Sequence, residues 1–525
     1  MIIINDIHLP LEDFPSDFHA VAARELKINE NKIKSASLYR KSVDARRKSD
    51  VHFCCSVIVS LNCDEGFAIK KCKKAHIFNE EKYEWKTGIS SPTRPIVVGF
   101  GPAGMFAALT LARAGLRPIV IERGEAVDER KKSVERFFSG GPLSAESNVQ
   151  FGEGGAGTFS DGKLNTGIKN IRCRAVLEEF VRFGAKDEIL IDAKPHIGTD
   201  RLVEIVKNLR NEIIALGGEV RFSSRLNNIL STDGKISEIE IYCGDNRDII
   251  PCSHLILATG HSARDTFFML KENDILMERK AFSVGARIEH KRADIDRALY
   301  GDFAGHPALG AADYKLATHL DNGRGVYTFC MCPGGVVINA SSEPGGIAVN
   351  GMSYSARDGE NSNSAVLADI RPDELPGDDV LAGVSFQREI EQKAFSAAYG
   401  AVPTTTFGKM LGKSPKKAVS PSVLPNTAEC DMREILPGNI ADSIIEGIKI
   451  FGKKIEGFDS DSARLTFPET RSSSPVRILR NDTFQSPSLH GLFPCGEGAG
   501  YAGGIMSAAV DGIRIAEAVI ESITQ

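Results

Sequence analysis

Long apolar runs are missing from this chain: no stretch of roughly 18 apolar residues, the length that crosses a bilayer as a helix, occurs among its 525 residues. The opening Met1-Ile2-Ile3-Ile4-Asn5-Asp6 has no basic segment ahead of an apolar one, so no export signal is read there. Charge of one sign is missing too. The 64 basic and 69 acidic residues leave a net charge of −5, too weak to draw nucleic acid to the whole surface. Eleven cysteines at irregular spacings exclude a disulfide framework. Cys54, Cys55, Cys63 and Cys72 lack the paired CxxC spacing of zinc ligands, so no metal is expected. These absences lead to the expectation of a soluble, cytoplasmic protein of two or three domains with no membrane partner. No signal for oligomeric state is present.

What is present starts with Val97-Val98-Gly99-Phe100-Gly101-Pro102-Ala103-Gly104, a helical stretch, and then Ile119-Val120-Ile121-Glu122. A β-branched run makes a buried parallel strand. Three glycines then permit a tight turn, close approach to a pyrophosphate, and packing of the next helix on the sheet. The spacing predicts a phosphate beside Gly99, Gly101, Pro102, Ala103 and Gly104, at a helix N-terminus whose free N–H groups favour an anion. Glu122, with Arg123 next to it, ends the second strand, where a carboxylate accepts hydrogen bonds from ribose hydroxyls. This motif does not separate FAD from NAD.

Near the other end, Leu492-Phe493-Pro494 reads as a strand leading through Gly496, Glu497, Gly503, Gly504 and Ile505 into a helix from about Met506 to Ile520. A second helix N-terminus thus faces a second anionic group. In a flavoprotein that group is the pyrimidine edge of the flavin, and Glu497 meets the ribityl or pyrophosphate region. Some 390 residues separate the two glycine motifs, so one domain is expected to enclose a long insertion. Between Glu125 and Asn170 an irregular, glycine-rich functional loop is expected. The backbone N–H groups of Gly154, Gly155, Ala156, Gly157 and Thr158 form an anion nest or lie along the isoalloxazine, with Ser160, Asp161 and Lys163 as polar contacts.

The run Gly99 to Gly104, the run Ile256-Leu257-Ala258-Thr259-Gly260 and the run Gly496-Glu497-Gly498-Ala499-Gly500 together resemble the FAD-binding elements of the glutathione-reductase-type flavoproteins. Asn148 to Leu164, Gly260-His261-Ser262-Ala263-Arg264-Asp265 and Phe329-Cys330-Met331-Cys332-Pro333-Gly334-Gly335 are similar to a bacterial family described only as FAD-utilising dehydrogenases. The resemblance runs from residue 92 onward. It implies FAD, a place for Ala258, Thr259 and Gly260 at the cofactor, and a backbone contact near Val220 with the adenine. It names no substrate. No histidine, cysteine or tyrosine stands where a covalent link to flavin would be argued, so noncovalent FAD is expected.

The fold expected is α/β: a Rossmann-like FAD-binding domain (91–265 plus 471–525), an inserted α+β substrate or cap domain (266–470), and a small N-terminal α/β domain (1–90). In the last, the pattern predicts a strand at Ile2–Ile4, a helix at Pro15–Leu26, and strands at Ile33–Ser37 and His52–Leu61. The basic stretch Arg40 to Lys48 reads as a solvated helix face, with phosphate binding as the alternative. Thr199-Asp200 reads as the N-cap of a helix at Arg201–Leu216. In the insertion, strands at Phe282–Ile288, Gly325–Phe329 and Gly335–Ala340 and helices at Ser385–Tyr399 and Asp442–Phe451 are expected, with a polar loop at 414–417.

Catalytic candidates follow from position. Arg264 is read as a bidentate ligand for an anionic substrate and His261 as a proton carrier. Cys330 and Cys332 are read either as thiols acting beside a flavin or as inert buried cysteines. Arg287, Glu289, His306 and His319 are alternatives in the covering lobe, and Arg471 and Arg477 are candidates for stabilising a reduced flavin. The reading is a hydride transfer between an organic substrate and flavin N5. A transient NAD(P)H is allowed for, because no second complete GxGxxG unit occurs. Two other readings stand beside it: an RNA-associated flavoprotein docking through the N-terminal module, and a non-catalytic flavin redox sensor.

Overall fold

The computed structural model describes residues 1–415 and 417–524; Lys416, in the polar stretch 414–417, and Gln525 lie outside them. A five-stranded, all-parallel sheet runs in the order Leu492–Pro494, Leu255–Leu257, Ile96–Val98, Ile119–Ile121, Glu219–Arg221. The first three are fully buried apolar triplets, as parallel strands covered on both faces require. The strand Ile96–Val98 connects to Ile119–Ile121 on one side and lies against Leu255–Leu257 on the other. That reversal of strand order opens a crevice outside the carboxyl ends, the place where such sheets bind ligands.

Helices Pro102–Ala114 and Ile505–Thr524 pack together on this sheet. Gly512 permits the approach: a Cβ there would lie 2.1 Å from the Ala103 carbonyl oxygen. A three-stranded meander, Ser224–Thr232, Lys235–Cys243 and Asn246–Pro251, fills the space between the two halves.

The inserted region is built on a seven-stranded sheet in the order Ala317–His319, Gly325–Cys332, Asn361–Ile370, Phe282–Lys291, Arg464–Glu469, Val402–Thr406, Thr427–Glu429. Its central strand Phe282–Lys291 is buried along almost its whole length. Phe282, Val284, Ala286 and Ile288 join the apolar core that also contains residues of helices Ala382–Ala397 and Gly438–Gly452. Ser283, Arg287 and Glu289 alternate with them and are equally buried, so the opposite face is a polar interior. A polar residue survives burial only when hydrogen-bonded, and this face carries much of the chemistry described below.

His290 sits on the apolar face, donating from Nε2 to the Phe458 carbonyl at 2.8 Å. Burial holds its pKa down at about 4. The unfolded chain protonates this residue near pH 6.5, so the stability it contributes is complete above that pH and is lost as pH falls toward 4. We expect roughly 3 kcal/mol of destabilisation over that window, visible as a falling denaturation midpoint that flattens in His290→Gln.

The N-terminal unit has strands Ile2–Leu9, Ile33–Asp44, His52–Leu61 and Ala75–Ile77 and helices His19–Leu26 and Glu65–Lys71. The sheet is antiparallel, with second, third, first and fourth strands in that order, which is the ferredoxin-like βαββαβ arrangement. The basic stretch is not a helix face. Arg40 and Lys41 lie on an extended strand, and Lys41 is bonded into the larger body, its N–H donating to the Ile191 carbonyl at 2.9 Å and its carbonyl accepting from Ala193 at 2.8 Å. The incompletely buried positions of the two central strands are Ile3, Asn5, Asp6, His8, His52, Cys54, Ile58, Ser60 and Leu61. They offer no Phe, Tyr or Trp platform for stacking RNA bases.

Two further expectations change. The segment after Glu125 contains a regular helix, Val127–Phe138, and a short 3-10 turn, Gly155–Phe159. Its polar composition masked the narrow apolar stripe of Val127 and Val134. Thr199 and Asp200 lie inside their helix, whose N-cap is Gly198. Their side chains serve other segments: the Thr199 hydroxyl donates to the Thr158 carbonyl at 2.6 Å, and the Asp200 carboxylate accepts from Ser355.

Candidate functional site

A cavity of about 440 Å³ lies between the parallel sheet's carboxyl edge and the polar face of the seven-stranded sheet. Gly99, Gly101, Pro102 and Ala103 line it at the N-terminus of helix Pro102–Ala114. Two of the motif glycines are required by packing. A Cβ on Gly99, which has φ 96°, would meet the Ala258 carbonyl oxygen at 2.3 Å, and one on Gly104 would meet the Gly99 carbonyl oxygen at 1.9 Å. Gly104 therefore shapes the turn without lining the cavity.

Glu122 is buried and accepts three backbone N–H bonds, from Phe100 at 2.8 Å and from Gly124 and Gly152 at 2.9 Å each. It lines the cavity and retains lone-pair capacity for a hydroxyl. Arg123 is spent on Asp265, bidentate at 2.9 Å, and on Glu146, and it stacks on Phe151. An amide in place of the Glu122 carboxylate turns an N–H against N–H donors. Glu122→Gln is therefore expected to weaken FAD binding roughly 10- to 100-fold, the scale of lost charge-assisted hydrogen bonds; flavin-fluorescence titration measures it.

Gly155, Ala156 and Gly157 line the cavity, with the Gly155 backbone in contact with that of Gly101. Gly154 and Thr158 brace this turn from behind, since a Cβ on Gly154 would strike the Thr158 hydroxyl at 1.9 Å. The loop is held by a residue the motif reading did not contain. Arg130 is fully buried and donates to the carbonyls of Asn148 at 3.0 Å, Glu153 at 2.6 Å and Val149 at 3.0 Å. Carbonyl partners leave no trace in sequence, which is why Arg130 is illegible there.

At the other helix, Glu497, Gly503, Gly504 and Ile505 line the cavity. Gly496 does not. Its N–H donates to Asp511 at 2.8 Å, and a Cβ on it would press on Ala103. Ala258, Thr259, Gly260 and His261 complete this end. His261 Nε2 stands 3.0 Å from the Arg471 carbonyl oxygen, which can only accept, so this nitrogen carries hydrogen. Its Nδ1 then faces Glu497 Oε1 at 3.3 Å, and the pair needs one proton between them. Burial opposes the charged carboxylate of Glu497, but the His261 contact outweighs it and lowers its pKa.

Several expected roles move. Val220 lies on the edge strand of the sheet, paired with Val120, and is absent from the cavity wall, which at that end is formed by Ser224, Arg225 and Leu226. Arg264 is not a substrate ligand: its guanidinium is buried and donates to Glu391 at 2.9 Å twice and to Glu343 at 2.7 Å. Arg471 grips the same Glu391, at 2.7 and 2.9 Å, but unlike Arg477 it also lines the cavity. Glu289 accepts from Ser422 and Asn361 away from the cavity. His306 meets Glu12 of the N-terminal unit, His319 lies exposed on an edge strand, and Arg477 pairs with Glu278.

The seven-stranded sheet contributes Phe329, Cys330 and Glu469 to the wall, joined by Lys163 and Asn350. Cys332 is buried behind it. Arg287 organises this wall from beneath, pairing with Glu469 at 2.5 Å and donating to the Cys330 carbonyl at 2.7 Å and to Asn350 at 2.8 Å. Asp161 accepts from Ser353 and Arg357; burial opposes its charge, but Lys163 and Arg357 overcome this and hold its pKa near 2.

These residues fit a dinucleotide flavin. Two helix N-termini with unsatisfied N–H groups open into one cavity, and a Cβ at Gly260, Gly503 or Gly504 would find no protein atom within 4 Å. The room beside them is backbone-lined, as close approach of a cofactor requires.

Comparison with known proteins agrees. Residues 94–150 match an FAD binding domain, residues 281–472 match a family described as FAD-dependent protein, C-terminal domain-like, and residues 1–60 match a domain of unknown function. An uncharacterized protein of Clostridium beijerinckii is 46% identical over 99% of this chain and 98% of its own length. Among solved structures, a geranylgeranyl bacteriochlorophyll reductase-like protein of Thermoplasma acidophilum aligns at 12% identity over 82% of this chain and 78% of that one, with a TM-score of 0.38. A flavoprotein/dehydrogenase of Cytophaga hutchinsonii aligns at 11% identity over 82% and 79%, also with a TM-score of 0.38. No helix among the described residues is long and apolar enough to cross a membrane. FAD is the cofactor, and the chain belongs to a family of FAD-dependent flavoproteins that includes the Clostridium protein.

Proposed function

We propose that the protein is an FAD-dependent oxidoreductase that passes a hydride between a small organic substrate and flavin N5, with FAD held noncovalently across two lobes as in the glutathione-reductase type. One observation carries this reading: a single cavity has the dinucleotide cradle as one wall and the polar face of the seven-stranded sheet as the other. The bound flavin supplies the two-electron chemistry. The chain's part is to orient both partners, exclude water and hold protons.

His261 and Glu497 keep one proton between Nδ1 and Oε1 at the wall of the cavity. The N-terminal end of helix Ile505–Thr524 favours negative charge in front of it. Lys163, Phe329, Asn350 and Glu469 bound the space left for the substrate. A nicotinamide, where it is the donor, shares this space transiently.

The test is anaerobic titration of the purified yellow protein with NADPH and then NADH. Rapid bleaching by either supports a nicotinamide-driven reductase. Resistance to both supports an organic hydride donor and directs a substrate screen. A colourless protein that FAD does not reconstitute overturns the proposal.

A further inference from the structure

Of the eleven cysteines, all free thiols, only Cys330 lies on the wall of the large cavity among the described residues. Its backbone is unusual. It sits at a break in strand register between Phe329 and Cys332 and has φ 43°, the left-handed region that a side chain other than Gly, Asn or Asp rarely occupies. The break turns its carbonyl toward two donors, Arg287 Nη1 at 2.7 Å and the Cys332 thiol at 3.3 Å.

The charged surroundings favour a thiolate. From the strand below, Arg287 brings a buried guanidinium, its charge shared with Glu469. From the loop opposite comes Lys163, whose Nζ is buried, has no hydrogen-bond partner among the described residues, and meets only Asp161 at 3.5 Å. Asp161 is itself engaged by Arg357. Contact with the Cys332 side chain holds the Cys330 pKa well below its ordinary value; burial opposes this, and Arg287 and Lys163 add to it. Cys332 is driven the other way and keeps its proton. A low-pKa thiol open to a cavity, with a second thiol beside it, is the arrangement of an oxidisable pair.

We propose that Cys330 is the reactive thiol of this protein and that, with Cys332 as its resolving partner, it forms a hydroperoxide-oxidisable pair in the cavity wall. The Cys330 sulfur attacks one oxygen of the hydroperoxide and the O–O bond breaks. Cys330 becomes a sulfenic acid, and the departing oxygen takes up a proton as water or alcohol. The Cys332 sulfur then attacks the sulfenic sulfur, forming the S–S bond and breaking S–O; the released hydroxide takes the Cys332 proton and leaves as water. Two thiols lose two electrons and the peroxide gains them. The pair needs no flavin for this step, so it stands apart from the hydride-transfer proposal.

The experiment uses FAD-loaded protein and two probes, iodoacetamide at pH 6 and one equivalent of hydrogen peroxide, read by peptide mass. Cys330 is expected to be alkylated roughly 10-fold or more faster than any other cysteine. After peroxide, the peptide holding both residues is expected to lose two hydrogens. Cys332→Ser should stop at a sulfenic acid on Cys330 that dimedone traps, and Cys330→Ser should give neither product. Alkylation of Cys330 no faster than the rest, or absence of the trapped sulfenic acid in Cys332→Ser, overturns the proposal. Flavin absorbance recorded on each sample reports cofactor loading separately, so a failure of FAD binding is not mistaken for a failure of the thiol pair.

Discussion

Replacing Gly101 by alanine is expected to give a folded protein that no longer retains FAD. Gly101 has φ −78°, open to any residue, and a Cβ there would meet only the Gly155 Cα, at an ordinary 3.7 Å. The protein itself therefore tolerates the methyl group. The space that group enters is the cavity at the N-terminus of helix Pro102–Ala114, where free N–H groups favour a pyrophosphate. Affinity should fall roughly 10- to 100-fold, the scale of a close-packed overlap of one to three kcal/mol, with the melting temperature of the apoprotein unchanged. Gly104→Ala makes the contrast. Its Cβ would strike the Gly99 carbonyl oxygen at 1.9 Å, so this variant should lose stability and FAD together. Full FAD retention by Gly101→Ala would show that the phosphates do not sit over this helix.

The largest effect on stability is expected at Glu391. This carboxylate, on helix Ala382–Ala397, is 2% exposed and lies between two buried guanidinium groups, Arg264 and Arg471, with the Thr470 hydroxyl donating to it at 2.5 Å. Burial opposes its charge, but the two arginines overcome this and hold its pKa near 2. Glu391→Ala leaves buried cations without their shared partner and is expected to cost about 3–5 kcal/mol, measured by chemical denaturation of the holoprotein. Glu343→Ala removes a partly exposed contact to Arg264 and should cost far less. Equal costs at both positions would mean that water reaches the cluster.

The Glu391 cluster also shows where sequence reading stops. Arg264 follows the glycine loop directly, and an arginine beside a cofactor loop reads as a substrate ligand. Its partner Glu391 is 127 positions away, and nothing local announces it. Arg287 and Glu469 are 182 positions apart, so the polar wall around Cys330 was likewise invisible as a unit. The glycine motifs behaved differently. Their constraints are local: a turn within a few residues, a helix that must start there, a strand before it. Such constraints act on neighbours in the chain and so leave a pattern in it. The Arg40 to Lys48 stretch failed for the opposite reason, because charge composition is the same on a strand edge as on a helix face.

The flavin nature of the site came from a resemblance to flavoprotein families, while the residues alone established a dinucleotide-binding βαβ unit and a second glycine turn at a distant helix. Those features depend on backbone geometry that only glycine at set spacings allows. Tertiary structure alone decided which charged residues face the cavity and which neutralise one another behind it. That choice depends on pairing in a low-dielectric interior, where a guanidinium and a carboxylate far apart in the chain are stable only together, and pairing of that kind is a property of the packed fold.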